Sequence, residues 1–408
     1  MPCQNSGPPV GEMTDLATQV HVLRNWLLNR ALALWWELGA DRARGGFHEA
    51  IDLEGKPVAH PHRARSIARQ AFSYCEARRL GWDGRWGEAA NHALNFFRIH
   101  FVRPDGTVNS VVDLDGRCRE PRFELYNQAF ALLAYASAHA AFGEEAGWRR
   151  MAVQLRTTLQ GQYAHPIAGF VEDRSGLQMQ SANPHMHLLE AALAWIALDP
   201  DPGWRRMADS LVALCLERMI DKKTGALREF FAADWTPAPG VTGSICEPGH
   251  HYEWAFLLHR WANLANFPAP QAVSSLVAFA DTHGIDAVRG VAVSAVLLDG
   301  SVHDPVARLW AQAERIRAYL IDGRDDAQIA SAVAALVRFL GVARQGLWFD
   351  QLDANGSFVE EPARATSLYH IIGAASELTA RLPAAELVDR TEQARGDRVA
   401  IGASRRLP

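Results

Sequence analysis

The sequence lacks the marks of several classes of protein. Its five cysteines are scattered and form no CxxC pair, so they indicate neither a disulfide framework nor a thiolate metal site. No stretch approaches the roughly 18 unbroken apolar residues of a membrane-spanning helix. No run of lysine and arginine is present, and the net charge of -5 with a pI of about 6.3 argues against nucleic acid as a partner.

The chain also lacks a secretory signal and an internal linker. Its first residues, MPCQNSGPPVGEM, are polar and contain no apolar core. Together with scattered cysteines that read as reduced thiols, this predicts a cytoplasmic protein without a membrane partner. No segment rich in proline, glycine and serine divides the chain. We therefore expect one domain over residues 1–408, with polar tails at about 1–13 and 390–408.

Amphipathic helices dominate what is present. The stretch from Asp15 to Leu38 has apolar residues at helical spacing, and similar segments follow along the chain. Strand-like alternation is confined to short pieces such as GGFHEAIDLEGKPVA and VAVSAVLLDGS, which predict hairpins between helices. The 13 tryptophans supply wide apolar surfaces that suit a protein core and also a sugar-binding cleft.

A helix pair recurs about every 60 residues. The marker residues, each early in a helix, are Arg69, Tyr126, His187, His250, Trp310 and His370. Six helix pairs fit either an open solenoid or a closed toroid. The last segment, SLYHIIGAASELTARL, stays apolar instead of forming a polar cap. This favours an all-α fold, an (α/α)6 barrel or toroid with short β-hairpin insertions, in which the inner helices present their N-terminal ends to one cavity.

The stretch EPGHHYEW places two adjacent histidines at a predicted helix start. Pro248 suits the first turn, where its missing N–H costs nothing. His250 and Glu253 share a helix face, so Glu253 can hold the imidazole of His250, whereas His251 lies about 100° away. We predict that His250 is functional and that His251→Ala costs little activity. The preceding segment TPAPGVTGS, residues 236–244, looks flexible and is a candidate lid.

The stretch NPHMHLLEA contains another pair of histidines. Asn183 suits a helix N-cap, and Pro184 suits the first turn. His185 and His187 are two residues apart and diverge on a helix. Zinc-binding histidines on helices are usually spaced by four, as in HExxH, which is absent from the chain. We therefore predict no metal site and expect His187 at the rim of the cavity.

The remaining markers complete the ring of candidate residues. Arg69 lies early in the first inner helix, where its charge opposes the helix dipole, and this favours a functional role over a simple salt bridge. His370 lies early in the last inner helix. Tyr126 and Trp310 occupy the equivalent places in two other repeats.

Histidines and an arginine around one cavity suit proton transfer next to a carbonyl group. An imidazole of near-neutral pKa can remove a weakly acidic proton and return it. A fixed guanidinium stabilises the developing enediolate oxygen. Histidines can perform this chemistry alone, so we expect no cofactor.

Six motifs resemble those of the N-acylglucosamine 2-epimerase superfamily, which includes N-acylglucosamine and cellobiose 2-epimerases, mannose isomerases and sulfoquinovose isomerases. They are ARQAFSY, LYNQAF, NPHMHLLEA, EPGHHYEW, RLWAQAE and ATSLYH, and the resemblance runs from about Trp36 to Ala380. It implies an (α/α)6 barrel. One departure is Asn127, where many relatives carry aspartate, and this is expected to loosen a supporting contact without removing activity.

The resemblance also assigns roles to residues of this chain. It implies that His250 and His370 are catalytic. The residues expected to hold the substrate are Arg69, Tyr126, Asn183, His187, Glu253 and Trp310. We expect a monosaccharide as the partner, and a monomer or homodimer as the assembly.

Within the family, RLWAQAERIRA and ATSLYH look most like the mannose isomerase branch, which interconverts D-mannose and D-fructose through a cis-enediolate. By this resemblance His370 shuttles the proton between C2 and C1, while His250, supported by Glu253, assists ring opening and protonates oxygen. The two roles could be exchanged. The alternative is a 2-epimerase of N-acylglucosamine or N-acetylmannosamine, of mannose, or of a disaccharide such as cellobiose, which would use the same residues.

Two functions outside that family remain open from the residues alone. A glycoside hydrolase needs two paired carboxylates, and Glu247, Glu253 and Asp350 are available, although their spacing does not pair them. A non-catalytic sugar-binding module could keep the tryptophans and an arginine. It would not need both His250 and His370.

Overall fold

The computed structural model describes residues 15–172 and 179–381, where long helices alternate between an outer and an inner ring. In chain order they are α1 (Leu16–Trp26), α2 (Ala64–Arg79), α3 (Trp86–His100), α4 (Leu125–Phe142), α5 (Trp148–Gln162), α6 (Ala182–Ile196), α7 (Pro202–Leu214), α8 (Pro248–Ala265), α9 (Ala272–Gly284), α10 (Leu309–Ile321), α11 (Asp326–Phe339) and α12 (Ser367–Arg381). The even-numbered helices are inner. Shorter pieces extend α1 through Leu27–Ala31, Leu32–Leu34 and Trp35–Gly39, extend α7 through Cys215–Met219, and form 3-10 turns at Glu144–Ala146 and Gly240–Ser244.

The even-numbered helices form a closed ring. Each packs against the next inner helix along the chain, and α12 returns to pack against α2. The outer helices cover the back of this ring, for example α3 behind α2 and α11 behind α10. Because an inner helix has neighbours on nearly all sides, its sequence is apolar around most of its circumference, as in LYNQAFALLAYASAHAAF of α4. The (α/α)6 barrel predicted from the repeat is confirmed.

Short antiparallel strands occupy the connections between helices. They are β1 (Ala50–Ile51), β2 (Pro57–Val58), β3 (His62–Arg63), β4 (Val111–Val112), β5 (Cys118–Glu120), β6 (Gln180–Ser181), β7 (Phe230–Phe231), β8 (Ile245–Cys246), β9 (Ile285–Asp286), β10 (Val291–Leu297), β11 (Val302–Arg308), β12 (Gln351–Leu352) and β13 (Ala363–Arg364). They form sheets in the orders β13-β1-β2, β3-β4-β5, β6-β7 and β12-β11-β10-β8, with β9 beside β10. The hairpins β1–β2 and β10–β11 are those predicted from the sequence.

The two ends of the repeat are joined by strands as well as by helices. Ala50 of β1 pairs with Arg364 of β13, which precedes the last inner helix. The side chain of Gln70 on α2 donates a hydrogen bond to the carbonyl of Ala365 at 2.8 Å. These contacts join residues about 300 positions apart, so the barrel is closed at the end that bears the candidate residues.

Two inner helices are pinned to the preceding connection by a buried glutamine. Gln128 on α4 accepts a hydrogen bond from the N–H of Val108 at 2.8 Å and donates to its carbonyl at 3.1 Å. Gln312 on α10 makes the same pair of bonds with Ala292, at 2.8 and 2.9 Å. A side-chain amide satisfies both backbone groups of one residue in this way, which fixes the height of the helix start relative to the connection.

Two further inner helices use a histidine for the same purpose. His185 on α6 accepts from the N–H of Phe170 at 3.1 Å, and His251 on α8 accepts from the N–H of Leu227 at 2.9 Å. Both rings are fully buried, and burial lowers the pKa of each to about 4, so both are neutral. His185 and His251 are therefore structural, which agrees with the divergence from His187 and His250 predicted from helix phase.

Two local predictions about helix starts need correction. Pro248 is the first residue of α8, as expected. Helix α6, however, begins at Ala182 with Ser181 as its N-cap, so Asn183 lies inside the first turn and is not the cap. Arg69 lies in the second turn of α2, which begins at Ala64, and the dipole effect used to single it out fades within the first turn.

The predicted polar tails, about 1–13 and 390–408, lie outside the residues that the structure describes. Within residues 15–172 and 179–381, no helix is both long enough and apolar enough to cross a membrane.

Candidate active site

A polar cavity of about 280 Å³ lies at the N-terminal ends of the inner helices. Its walls come from all six inner helices and from the segments that enter three of them. The lining residues are Arg69, Tyr126, Asn183, His187, Glu247, His250, Glu253, Arg308, Trp310, Arg364, Thr366, Ser367 and His370. All eight residues singled out from the sequence as catalytic or substrate-holding are among them. The structure thus brings the predicted set together, while the role of each remains a prediction.

His370 is arranged as a neutral base. Its Nδ1 lies 2.7 Å from Oε1 of Glu314, which accepts the Nδ1 proton and leaves Nε2 with a lone pair for the cavity. Burial, followed by the positive charges of Arg69 and Arg317, lowers the pKa of His370 well below its usual value. At neutral pH the imidazole is therefore uncharged and able to take a proton.

His250 is arranged as an acid. Its Nδ1 lies 2.9 Å from Oε2 of Glu229 and 3.5 Å from Oε2 of Glu247. Burial alone favours the neutral ring, but the charges of Glu229 and Glu247 outweigh it and raise the pKa of His250 to about 10. The predicted support of His250 by Glu253 is therefore wrong in detail, because the carboxylate bonded to His250 belongs to Glu229.

His187 is arranged as a neutral hydrogen-bond acceptor. Its Nδ1 lies 3.3 Å from Oε2 of Glu190 and 3.7 Å from Oε1 of Glu253. Burial lowers the pKa of His187 to about 4. Its ring packs edge-on against Tyr126, with 5.2 Å between centroids. A neutral imidazole held in this way offers Nε2 to a substrate hydroxyl.

Three buried glutamates, Glu190, Glu253 and Glu314, lie beneath the cavity, and Arg317 pairs with two of them. Arg317 donates to Oε2 of Glu314 at 2.7 Å and lies 3.7 Å from Oε1 of Glu190. Glu190 also accepts a hydrogen bond from the hydroxyl of Tyr369. Although burial opposes its charge, the bonds from His187 and the charge of Arg317 lower the pKa of Glu190 to about 2.

Glu253 is the third carboxylate, and it faces the cavity without such support. Its side chain is buried, and neither oxygen accepts or donates a hydrogen bond among the described residues. Burial, and then the negative charges of Glu314 and Glu190, raise the pKa of Glu253 well above its usual value. These causes favour the protonated carboxylic acid, whose O–H is a donor that a substrate oxygen can accept.

Arg69 reaches the cavity from α2 and is held by aromatic rings. One of its terminal nitrogens donates to the hydroxyl of Tyr126 at 2.8 Å. Its guanidinium carbon lies 4.1 Å from the ring centroid of Phe130 and 5.0 Å from that of Tyr369. Nearly all of the side chain is withdrawn from solvent. A desolvated guanidinium is well suited to stabilise negative charge that develops on a substrate oxygen.

Trp310 packs against both candidate catalytic histidines. Its ring centroid lies 4.9 Å from that of His250 and 5.7 Å from that of His370. Gly249 leaves room for it, since a Cβ at position 249 would lie 2.4 Å from the indole ring. The indole thus fixes both imidazoles and offers an apolar face to the cavity.

Three groupings of histidine and glutamate have ligand atoms within 4.8 Å of one another: His187, Glu190 and Glu253; Glu229, Glu247 and His250; Glu253, Glu314 and His370. Such spacing could hold a metal ion. In each grouping, however, the histidine nitrogen nearest the carboxylates already forms a hydrogen bond or an ion pair with one of them. Function without a metal remains a prediction that a chelator can test.

Comparison with known proteins identifies the family to which the chain belongs. Residues 45–374 match the model of the family described as N-acylglucosamine 2-epimerase (GlcNAc 2-epimerase). The chain belongs to this family. It is 41% identical over 377 residues to a mannose-6-phosphate isomerase of Rhizobium meliloti, covering 89% of this chain and 97% of that protein. It is 24% identical over 367 residues to a cellobiose 2-epimerase of Bacteroides fragilis, covering 83% and 92% respectively.

The barrel itself has close counterparts among solved structures. The crystal structure of a D-mannose isomerase matches with a TM-score of 0.79 at 19% identity, covering 92% of this chain and 100% of that one. Likeness at this identity establishes the fold. Together with the sequence relatives, it makes this member of the N-acylglucosamine 2-epimerase family an enzyme of the sugar isomerase and epimerase group.

Family membership sets aside the two other functions that the residues left open, the glycoside hydrolase and the non-catalytic binder. Asp350, one of the carboxylates considered for hydrolysis, already accepts hydrogen bonds within the protein. It accepts hydrogen bonds from the Ser367 hydroxyl and, at 2.8 Å, from the N–H of Arg364. In the candidate lid, residues 236–244, a 3-10 turn forms at Gly240–Ser244, and no residue of the segment lines the cavity; its role as a lid stays a prediction.

Sequence reasoning missed the carboxylates that set the charge of each histidine. Glu314 lies one turn after Trp310 on α10, and Glu190 lies one turn after His187 on α6, so helix phase places both below the cavity residues. Glu229 lies in the connection before α8, where no periodicity marks it.

Asn127, the departure from the family pattern, donates to Oε2 of Glu124 at 2.6 Å, a bond that an aspartate could make only if protonated.

Proposed function

We propose that this enzyme is an aldose–ketose isomerase that interconverts D-mannose and D-fructose by histidine-mediated proton transfer through a cis-enediolate. The observation that carries the proposal is the opposite charge of two histidines in one cavity. His370 is a neutral base on Glu314, and His250 is an imidazolium on Glu229. Two groups whose pKa values are driven apart by their surroundings are the usual signature of an acid and a base.

Proton transfer then proceeds in two steps after ring opening. Nε2 of His370 removes the C2 proton, the C2–H electrons form the C1=C2 bond, and negative charge moves onto O1. Arg69 stabilises that oxygen, and the imidazolium of His250 donates a proton to it. The now neutral His250 takes the O2 proton, the O2–H electrons form C2=O, and the C1=C2 electrons take the proton back from Nε2 of His370 at C1, which yields the ketose and restores both histidines.

The remaining cavity groups hold the sugar in place. Neutral His187 accepts a hydrogen bond from a hydroxyl, and the Glu253 acid donates one. Trp310 offers an apolar face to the sugar ring. The relatives support the mannose skeleton, since one of them is named for the isomerisation of a mannose phosphate.

Substitution of the base tests the proposal. We expect His370→Asn to lower kcat by about 100- to 10,000-fold, the usual contribution of general base catalysis, while D-mannose still binds. Turnover is measured by fructose release and binding by calorimetry. An unchanged kcat would assign the base elsewhere, and lost binding would make His370 a substrate ligand.

A second candidate function is 2-epimerisation. It is favoured by the presence of two histidines, each with its own carboxylate, because epimerisation needs proton removal and return on opposite faces of C2. In that case the His250 imidazolium would protonate C2 instead of oxygen. The product distinguishes the two, since mannose would give glucose instead of fructose.

A further inference from the structure

Proton transfer at C1 and C2 requires an open-chain sugar, whereas hexoses exist in water mainly as pyranoses. In the pyranose, C1 carries both the hydroxyl oxygen O1 and the ring oxygen O5. Ring opening moves a proton from O1 to O5 while the C1–O5 bond breaks. Turnover faster than spontaneous opening therefore needs a group in the cavity that takes a proton from one of these oxygens and gives it to the other.

Glu247 is the carboxyl group that lies beside the candidate acid and also lines the cavity. Its Oε2 lies 3.5 Å from Nδ1 of His250, and 29% of its side chain is exposed. Within the described residues no hydrogen bond occupies either of its carboxyl oxygens. Glu229, the other carboxylate beside His250, has a side chain that is only 2% exposed and does not line the cavity. Of the two, only Glu247 can contact a sugar.

The backbone of Glu247 is held in place from both sides. Glu247 is the N-cap of α8, and its carbonyl accepts hydrogen bonds from the N–H and from Nδ1 of buried His251, at 3.1 and 2.9 Å. The next residue, Pro248, packs so closely against the end of α9 that a Cβ on Gly284 would lie 2.4 Å from its ring. A carboxyl group on such a fixed base needs only side-chain rotation to meet a substrate.

Opposing charges keep both protonation states of Glu247 accessible. Burial disfavours the carboxylate, His250 and Arg308 favour it, and Glu229 and Asp304 disfavour it, with the result that the pKa of Glu247 is raised to about 7. A group whose pKa lies near the working pH both accepts and releases a proton readily.

The neighbouring cavity groups suit ring opening less well. His250 has Nδ1 bonded to Glu229, so its single free nitrogen would have to serve both sugar oxygens and then still hold a proton for O1. The pKa of Glu253 is raised well above its usual value by burial, which favours retention of its proton. A carboxyl group has two oxygens on one carbon, and these match two sugar oxygens on one carbon.

We propose that Glu247 opens the pyranose ring by carrying a proton from O1 to O5, so that the enzyme also interconverts the anomers of its aldose substrate. The Glu247 carboxylate takes the O1 proton, the O1–H electrons form C1=O1, and the C1–O5 electrons leave on O5. The carboxylic acid so formed gives the proton to O5, which restores the carboxylate. Glu247 thus takes the ring-opening role that family resemblance gave to His250. The proposal rests on the isomerase function only for its aldose substrate.

The test measures the exchange between α- and β-D-mannose by exchange NMR, at early times before ketose accumulates. We expect the wild type to accelerate this exchange above the spontaneous rate. His370→Asn should keep the acceleration although it releases no ketose. Glu247→Gln should lower the acceleration by about 100-fold or more, the usual contribution of general acid–base catalysis. Glu247→Asp, which withdraws the carboxyl group by one methylene, should show a smaller loss, and calorimetry with D-mannose checks that each variant folds and binds.

Glu229→Gln is the matched control. It removes the negative charge that contributes most to the raised pKa of His250 but leaves the cavity wall intact. It should therefore lower ketose formation while slowing anomer exchange far less than Glu247→Gln does. Ketose formation by Glu247→Gln should fall towards the rate at which mannose opens spontaneously.

The outcomes separate this proposal from the isomerase. Equal loss of anomer exchange in Glu229→Gln and Glu247→Gln would return ring opening to His250, and unchanged exchange in both Glu247 variants would remove Glu247 from the step. A wild type that releases fructose without accelerating anomer exchange would overturn the proposal and leave the isomerase intact. Accelerated exchange without any ketose would overturn the isomerase and leave the role of Glu247 standing.

Discussion

The three cavity histidines show how neighbours decide the chemistry of identical side chains. Each places Nδ1 near a glutamate, yet His250 is charged whereas His187 and His370 are neutral. The difference arises because His250 faces the carboxylates of Glu229 and Glu247, and neither forms an ion pair with an arginine within the described residues. Beneath His187 and His370, by contrast, Arg317 forms ion pairs with Glu190 and Glu314 and partly neutralises their charge. Charge at each histidine is therefore set by the local count of carboxylates and guanidinium groups.

The pH dependence of kcat/KM should reflect this division. Activity requires neutral His370, so it should be lost only as the pH falls through a value well below 6.5. It also requires the His250 imidazolium, so it should be lost as the pH rises through about 10. Glu229→Gln removes one of the charges that raise the pKa of His250, so the alkaline limb should move to lower pH. Exposed Glu54→Gln is the control, and an unmoved limb would remove His250 from the acid role.

Glu253 should tolerate an amide better than a shorter acid. If the side chain acts as a neutral donor, Glu253→Gln keeps a donor in place and should lower activity only moderately, while Glu253→Asp moves the acid away from the substrate. We expect kcat/KM to fall about tenfold or less for glutamine and further for aspartate, consistent with one neutral hydrogen bond. A collapse of activity in Glu253→Gln alone would mean that the ionised form is needed.

The inner helices and the connections that precede them together determine where the site residues lie. The hydrogen bonds of Gln128, Gln312, His185 and His251 fix where four of the six inner helices start, and the residues that follow the start face the cavity. Gly249 illustrates the precision required, because its missing Cβ is what lets Trp310 of α10 lie against α8. The site is thus built from contacts between neighbouring repeats more than within one repeat.

Gly249→Ala should disturb catalysis more than stability. The added Cβ would meet the indole of Trp310 at 2.4 Å and displace the ring that lies against both histidines. Misplacement of about 1 Å can cost on the order of 100-fold in rate, so we expect a loss of that size in kcat. Gly373→Ala on α12 is the matched control. A Cβ there meets no atom closer than 4.0 Å, and kcat should be unchanged.

His251→Ala should lower stability while sparing chemistry. The substitution removes the acceptor for the Leu227 N–H and the donor to the Glu247 carbonyl, both at 2.9 Å and buried. Leaving such groups unpaired should cost about 1–3 kcal/mol in the free energy of unfolding, measured by urea denaturation. The folded fraction should keep its kcat. Exposed His303→Ala is the control, and a large fall in kcat would place His251 in the reaction.

For the whole molecule, the barrel and the eight cavity residues could be predicted because both follow from local patterns. A 60-residue repeat places equivalent positions around a ring, and the motifs mark them. The partners could not be predicted in the same way. Glu229 lies 21 residues before His250, and Glu314 lies 56 residues before His370 on another helix, so only the closed fold brings them together.

The most direct measurement follows the first product formed from D-mannose in D2O by NMR, with and without EDTA. We expect fructose to appear first in both samples, with deuterium at C1 only to the extent that His370 exchanges its proton with solvent. Glucose as the first product would contradict the isomerase and establish a 2-epimerase. Loss of activity only in EDTA would contradict proton transfer by the histidines without a metal.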